Sequence, residues 1–141
     1  MSIIQLAANI EDMPEYEPLP QGRYRAEVRD VEMRVSEKLP NGYFLVQFVV
    51  DPADYPADYD ANNAPEGVIL SYARVRVPSL EDRRATRPFK AFLTALGIDA
   101  SGAALNTDDW IGRQAVLLVS VSEYQGAPVN NVESVEAVPT A

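Results

Sequence analysis

The sequence predicts a mainly β domain, an OB-fold-like five-stranded barrel with one α-helix between strands 3 and 4. Three observations lead there. Five stretches alternate apolar and polar residues and are separated by Gly-, Pro- and Asn-rich punctuation. One stretch alone, Thr86 to Gly97, carries apolar residues at helical spacing. In the first strand the alternation slips near Arg29–Asp30, which predicts a β-bulge, the device by which a long strand bends around a barrel corner.

The first strand opens at Gly22 in GRYRAEVRDVEMRVSEK. Tyr24, Ala26 and Val28 share one face, and Val31, Met33 and Val35 continue it out of phase. Leu39-Pro40-Asn41-Gly42 is a hairpin turn signal. The second strand is Tyr43 to Val50. It carries Phe44, Val46, Phe48 and Val50 on one face and Tyr43, Leu45, Gln47 and Val49 on the other. Asp51 to Glu66 is a long polar loop containing the echo PADYPADY, too short for a structural repeat.

The third strand is GVILSYARVRV, Gly67 to Val77. Strict alternation puts Ile69, Ser71, Ala73, Val75 and Val77 toward a core, and Val68, Leu70, Tyr72, Arg74 and Arg76 outward. Ser79-Leu80-Glu81-Asp82 resembles a capping box, and Thr86-Arg87-Pro88 offers a second helix start. Phe89, Phe92, Leu93 and Leu96 form the helical stripe, and Gly97 is the stop. Trp110 is expected to plug the core or pack on the helix. The fourth strand is Arg113 to Tyr124, with Ala115, Leu117, Val119 and Val121 on one face. Gln125 to Pro128 is a turn, and a fifth strand follows from Val129 to about Val135. Residues 1–21 read as an extended acidic arm, 22–136 as the folded domain and 137–141 as a loose tail. The order strand, strand, strand, helix, strand, strand is that of the OB-fold.

Composition narrows the function classes. The 141 residues suit one domain with a single core. There is no histidine, no cysteine and no Gly-rich phosphate loop, so neither an enzyme nor a cofactor is expected. No apolar run is long enough for a transmembrane helix, and the N-terminal stretch lacks the basic start of a secretory signal; a cytoplasmic location is the expectation. Asp58, Asp60 and Asn62 have the spacing that begins a calcium loop, but Asn63 stands where glycine is needed and Ile69 where glutamate is needed.

The net charge is −9, which excludes nucleic-acid binding through bulk charge alone. The distribution is uneven, however. Acids crowd Glu11 to Glu17 and Asp51 to Glu66, while cations lie mainly in Arg23 to Lys38 and Arg74 to Lys90. Ten of the twelve cations are arginine, which pairs bidentately with phosphate and stacks on planar groups. In the predicted fold, strands 2 and 3 form the binding face of oligonucleotide-binding barrels. The candidate nucleic-acid-binding residues are therefore Tyr72, Arg74, Arg76 and Tyr43 on that face. Arg25 and Arg34 on strand 1, Lys38 beside the first hairpin and Tyr124 at the last hairpin join them.

Several short motifs together resemble a family of small phage single-stranded DNA-binding proteins with an OB-fold. They are Gly22-x-Tyr24, Asn41-Gly42-Tyr43, Phe92-Leu93-x-x-Leu96-Gly97, Trp110-Ile111-Gly112-Arg113 and Tyr124-x-Gly126, spread over residues 20 to 136. The resemblance implies sequence-independent binding of single-stranded DNA during phage replication or recombination. The implied partners are single-stranded DNA, with RNA not distinguished, and phage or host replication and recombination proteins. Many members carry an acidic C-terminal tail; here the acids cluster in the arm and in the loop between strands 2 and 3. The alternative reading is a structural virion protein, a β-barrel scaffold that self-associates through arm residues Ile3 to Ile10.

Overall fold

The fold was analysed in a computed structural model, which describes residues 2–13, 15–99, 102 and 104–139. Five antiparallel strands form one sheet: β1 (Gly22–Arg34), β2 (Tyr43–Val50), β3 (Val68–Arg76), β4 (Gln114–Tyr124) and β5 (Ala127–Glu136). Among the described residues one α-helix, α1 (Thr86–Ala95), lies between β3 and β4. The spatial order is β3-β2-β1-β4-β5. The edge strands β3 and β5 approach each other, yet no ladder joins them among the described residues, so the sheet stays open.

The bulge expected in β1 is present. Val28 pairs with Phe48 and Asp30 with Gln47, leaving Arg29 as the extra residue. Before it, Tyr24, Ala26 and Val28 are buried; after it, Val31 turns inward opposite Val46. The β2 faces are also as expected, with Phe44, Val46, Phe48 and Val50 buried. Gly42 closes the β1–β2 hairpin by donating its N–H to the Leu39 carbonyl at 2.9 Å. Its φ of +96° suits glycine, and a Cβ there would meet the Arg34 carbonyl oxygen at 3.1 Å. At the far hairpin the turn is tighter than expected. Gln125 and Gly126 alone form it, both with positive φ, and Ala127 already pairs with Tyr124 in the ladder.

The helix presents Phe89, Phe92, Leu93 and Leu96 to the sheet. Gly97, at φ +73°, ends it. Trp110 is fully buried among Phe44, Phe89 and Phe92, with ring centroids 5.0, 6.5 and 5.8 Å away. The Ser79 hydroxyl accepts the Asp82 N–H at 3.0 Å, but this bond closes only the Ser79–Asp82 turn; a short 3₁₀ segment, Arg83–Ala85, follows without a side-chain cap and runs straight into α1. The helix therefore begins at Thr86, the second of the two expected starts.

Two expectations are corrected. In β3 the outward and inward sets change places from Val68 to Tyr72, while Arg74, Val75 and Arg76 face as expected. Val68 and Leu70 are buried, Ile69 and Ser71 are exposed, and Tyr72 is half-buried against the core. The cause is a second bulge. Val46 pairs with Tyr72 but Phe44 pairs with Val75, so Ala73 and Arg74 together oppose Leu45. Beyond this slip the phase reverses, so Val75 faces in and Arg74 and Arg76 face out. In β4, Val121 is exposed because the β4–β5 ribbon runs past the last β1 partner, Gly22 opposite Val119.

The arm is also partly built in. Leu19 is fully buried, and the Asn130 side chain accepts its N–H at 2.9 Å and donates to its carbonyl at 2.8 Å, as a neighbouring strand would. The Tyr24 hydroxyl donates to the Pro20 carbonyl, and Tyr59 from the 51–66 loop donates to that of Glu17. Among the described residues no helix is long and apolar enough to cross a membrane.

Candidate nucleic-acid interface

The β1–β2 hairpin and the end of β3 meet at one end of the sheet, and the register aligns their outward residues. Arg34 pairs with Tyr43, and Tyr43 pairs with Arg76. Residues directly opposite in a ladder share a face, and adjacent strands lie about 4.8 Å apart. Tyr43 thus stands between two arginines in a row of backbone positions about 10 Å across. One position along the same face, Leu45 opposes the β3 bulge, which turns Arg74 outward beside this row.

Both flanking arginines hold loose ion pairs. Arg34 Nε lies 3.3 Å from Glu32, and Arg76 Nη1 lies 3.5 Å from Asp82. Hydrogen bonding to Glu32, together with its charge, raises the Arg34 pKa, so the group stays cationic at any working pH. Solvent-accessible pairs contribute roughly 0–1 kcal/mol. An incoming phosphate could therefore replace either carboxylate at small cost. Beside Arg76, a shallow cavity of about 320 Å³ runs under the hairpin and is lined by Lys38, Asn41 and Glu81. The Asn41 amide donates to the Ser79 hydroxyl at 3.1 Å, tying the hairpin to the segment before the helix.

The eight residues expected to form the site separate into three groups. Tyr43, Arg34, Arg76, Arg74 and Lys38 come together at the hairpin end. Arg25 lies near mid-sheet opposite Val116, beside Asp51 and Asp54. Tyr124 sits at the tip of the β4–β5 ribbon, and residues beside that tip, Gly126 to Pro128, share a cavity with Glu15, Glu17 and Asp60. Tyr72 shares no face with the arginines. Its ring stacks on Phe92, with centroids 6.1 Å apart and planes 17° from parallel. The aromatic partner of the arginines is Tyr43 instead. The signal for this was the hairpin register, which follows from the β1 slip at Arg29 and the Asn41-Gly42 turn.

The opposite end of the sheet has different chemistry. There the arm, the 51–66 loop and the β4–β5 tip converge. Asp51 and Asp60 cap two 3₁₀ turns, accepting the Ala53 and Asn62 N–H groups at 2.9 Å each. Tyr55 and Tyr59, the two tyrosines of the PADYPADY echo, pack edge to face with centroids 5.0 Å apart. Burial is the first cause that raises the pKa of Tyr24, Tyr55 and Tyr59 alike; the nearby Asp58 adds to it at Tyr24, and Tyr16 at Tyr55 and Tyr59. Among the described residues no group of three or more carboxylates is placed to hold a metal ion. Comparison of the sequence with protein-family models and with curated proteins finds no match.

Proposed function

We propose that this protein binds single-stranded DNA without sequence preference, on the outward face of β1, β2 and β3 at the hairpin end. The observation that carries the reading is the row Arg34–Tyr43–Arg76 across three adjacent strands. An aromatic ring can stack on any base, and flanking guanidinium groups can follow the phosphates on either side. Base stacking contributes about 1–3 kcal/mol per base and tolerates any sequence. Carboxylates of Glu27, Asp30 and Glu32 along β1 confine the cationic region to that end.

In this reading the open sheet is a version of the OB barrel, with its seam between β3 and β5. The strand order and the position of α1 between β3 and β4 support it. The face of strands 2 and 3 and the loop between strands 1 and 2 are the binding surfaces of that fold. By the same reading the DNA-binding set is Tyr43, Arg34, Arg76, Arg74 and Lys38, and its role lies in phage replication or recombination.

The test is a fluorescence-anisotropy titration with labelled oligo-dT and a duplex of equal length, at two salt concentrations. Preference for the single strand, weakened by salt and by Tyr43→Ala, supports the reading. No binding of oligo-dT at low salt overturns it.

A further inference from the structure

We propose that the N-terminal arm of one copy docks in an apolar groove at the hairpin end of a second copy. This contact does not depend on nucleic-acid binding. The groove has a volume of about 690 Å³ and lies on the opposite side of the hairpin end from Tyr43, between the sheet and α1. Met33, Phe44, Val77, Leu80, Phe89 and Leu93 line it. Leu80 is 89% exposed and Met33 55%, so the mouth is apolar and open. Contiguous apolar surface of this kind marks a binding site more often than scattered exposed residues do.

The arm supplies a matching surface. Ile3 is 89% exposed, Ile4 79% and Ile10 75%. Within one chain, then, an apolar groove and an exposed aliphatic segment occur together. Charge selects the pairing. Glu11, Asp12, Glu15 and Glu17 follow the isoleucines in the arm. Lys90 lines the groove, and Arg83, Arg84 and Arg87 precede it on the same turn and helix. None of these four cations makes an ion pair among the described residues. Apolar side chains in the groove, with carboxylates near Lys90 and the arginines of the adjoining turn and helix, would satisfy both partners in one register.

The arm is anchored far from its own groove. Leu19, Glu17 and Pro20 are held at the acidic end, beside Asn130, Tyr59 and Tyr24. Two copies lying side by side in opposite directions would set each acidic end against the other's cationic end. Each arm root would then lie next to the partner's groove. A reciprocal pair closes; a head-to-tail arrangement gives a chain. Both use the same contact.

The absence of cysteine makes the contact directly testable in the full chain. Chains carrying only Ile4→Cys are mixed with chains carrying only Leu80→Cys under mild oxidant. Both positions are exposed, so folding is preserved, as Trp110 emission would verify. The expected result is a mixed disulfide dimer in clear excess over either like-with-like dimer. Unsubstituted protein should self-associate in sedimentation velocity as concentration rises, and Ile3→Ser/Ile4→Ser should return it to the monomer value. A monomer at every concentration overturns the proposal. So does a mixed dimer no more abundant than the like-with-like dimers. A chain carrying both Ile4→Cys and Leu80→Cys that closes its disulfide within monomers places the arm in its own groove, and also overturns it.

Discussion

The two ends of the sheet use the same residue types for opposite purposes. At the acidic end, Tyr24 and Tyr59 turn their hydroxyls onto the backbone carbonyls of Pro20 and Glu17, while Leu19 is sealed beneath. At the hairpin end, Tyr43 lies on the outward face between two arginines, each paired with a carboxylate that is exposed at Glu32 and half-buried at Asp82. A tyrosine that donates to a backbone carbonyl is a structural clamp, whereas one flanked by cations on an open face is available to a ligand. Neither composition nor local spacing separates the two. What the hydroxyl and the ring touch does.

If the comparison is right, damage to the acidic end should unfold the protein, and damage to the hairpin end should spare the fold. The largest effect is expected for Leu19→Ala. It removes a fully buried side chain and should destabilise by about 2–5 kcal/mol in urea unfolding followed by Trp110 fluorescence. A loss below about 0.5 kcal/mol would mean that the arm is not part of the core. Next is Tyr43→Ala, which should weaken oligo-dT binding by about 1–3 kcal/mol, roughly 5- to 150-fold, with Trp110 emission unchanged. Equal affinity for the variant and the unsubstituted protein would remove Tyr43 from the interface.

The contrast also shows what the sequence could reveal. The bulge in β1 was legible because apolar residues changed phase visibly, from Tyr24-Ala26-Val28 to Val31-Met33. The bulge in β3 was hidden because both faces offered acceptable core residues: Ile69, Ala73 and Val75 on one, Val68 and Leu70 on the other. A one-residue slip exchanges the faces of a strand. That exchange moved Tyr72 onto Phe92 and left Arg74 and Arg76 outside. The β2 faces, the helix stripe and the buried Trp110 were legible because each rests on local periodicity. Burial of Leu19 was not, since its partner Asn130 lies 111 residues away and pairs through its side chain. The site was legible in part: the arginines and Tyr43 were identifiable, but their alignment depends on two bulges acting together.

A third test reads the clamp by titration. Tyr59→Phe removes one hydrogen bond to a backbone carbonyl and should cost about 1 kcal/mol near neutral pH. Burial raises the Tyr59 pKa above its ordinary value of 10. The folded state then holds the proton more tightly than the unfolded state does. The stabilisation is fully present below about pH 10 and is lost as pH rises through the higher folded value. The unfolding midpoint should therefore fall above about pH 10, and fall less steeply in Tyr59→Phe. Identical alkaline profiles for the two proteins would show that this phenol is not clamped. At the other end, Arg76→Ala should leave stability within about 0.5 kcal/mol and lower the salt slope of oligo-dT binding by about 0.7, the value for one phosphate contact on a single strand. An unchanged slope would show that Arg76 touches no phosphate.

The smallest expected effect sharpens the comparison most. Tyr124 is as prominent as any aromatic in the chain, 64% exposed at the tip of the β4–β5 ribbon. In OB barrels the loop between strands 4 and 5 takes part in oligonucleotide binding, so fold analogy alone would count Tyr124 with Tyr43. The local chemistry argues otherwise, because the neighbouring tip residues face Glu15, Glu17 and Asp60 rather than arginines. A phosphate approaching that tip would meet these carboxylates, with no cation among the described residues lining the cavity, and the repulsion would oppose whatever stacking the ring offered. Tyr124→Ala should therefore change oligo-dT affinity by less than about 0.5 kcal/mol, at least several-fold less than Tyr43→Ala in the same titration. If both substitutions weaken binding alike, the strand crosses the whole sheet from one hairpin to the other. The acidic end would then border the path of the DNA instead of lying outside it.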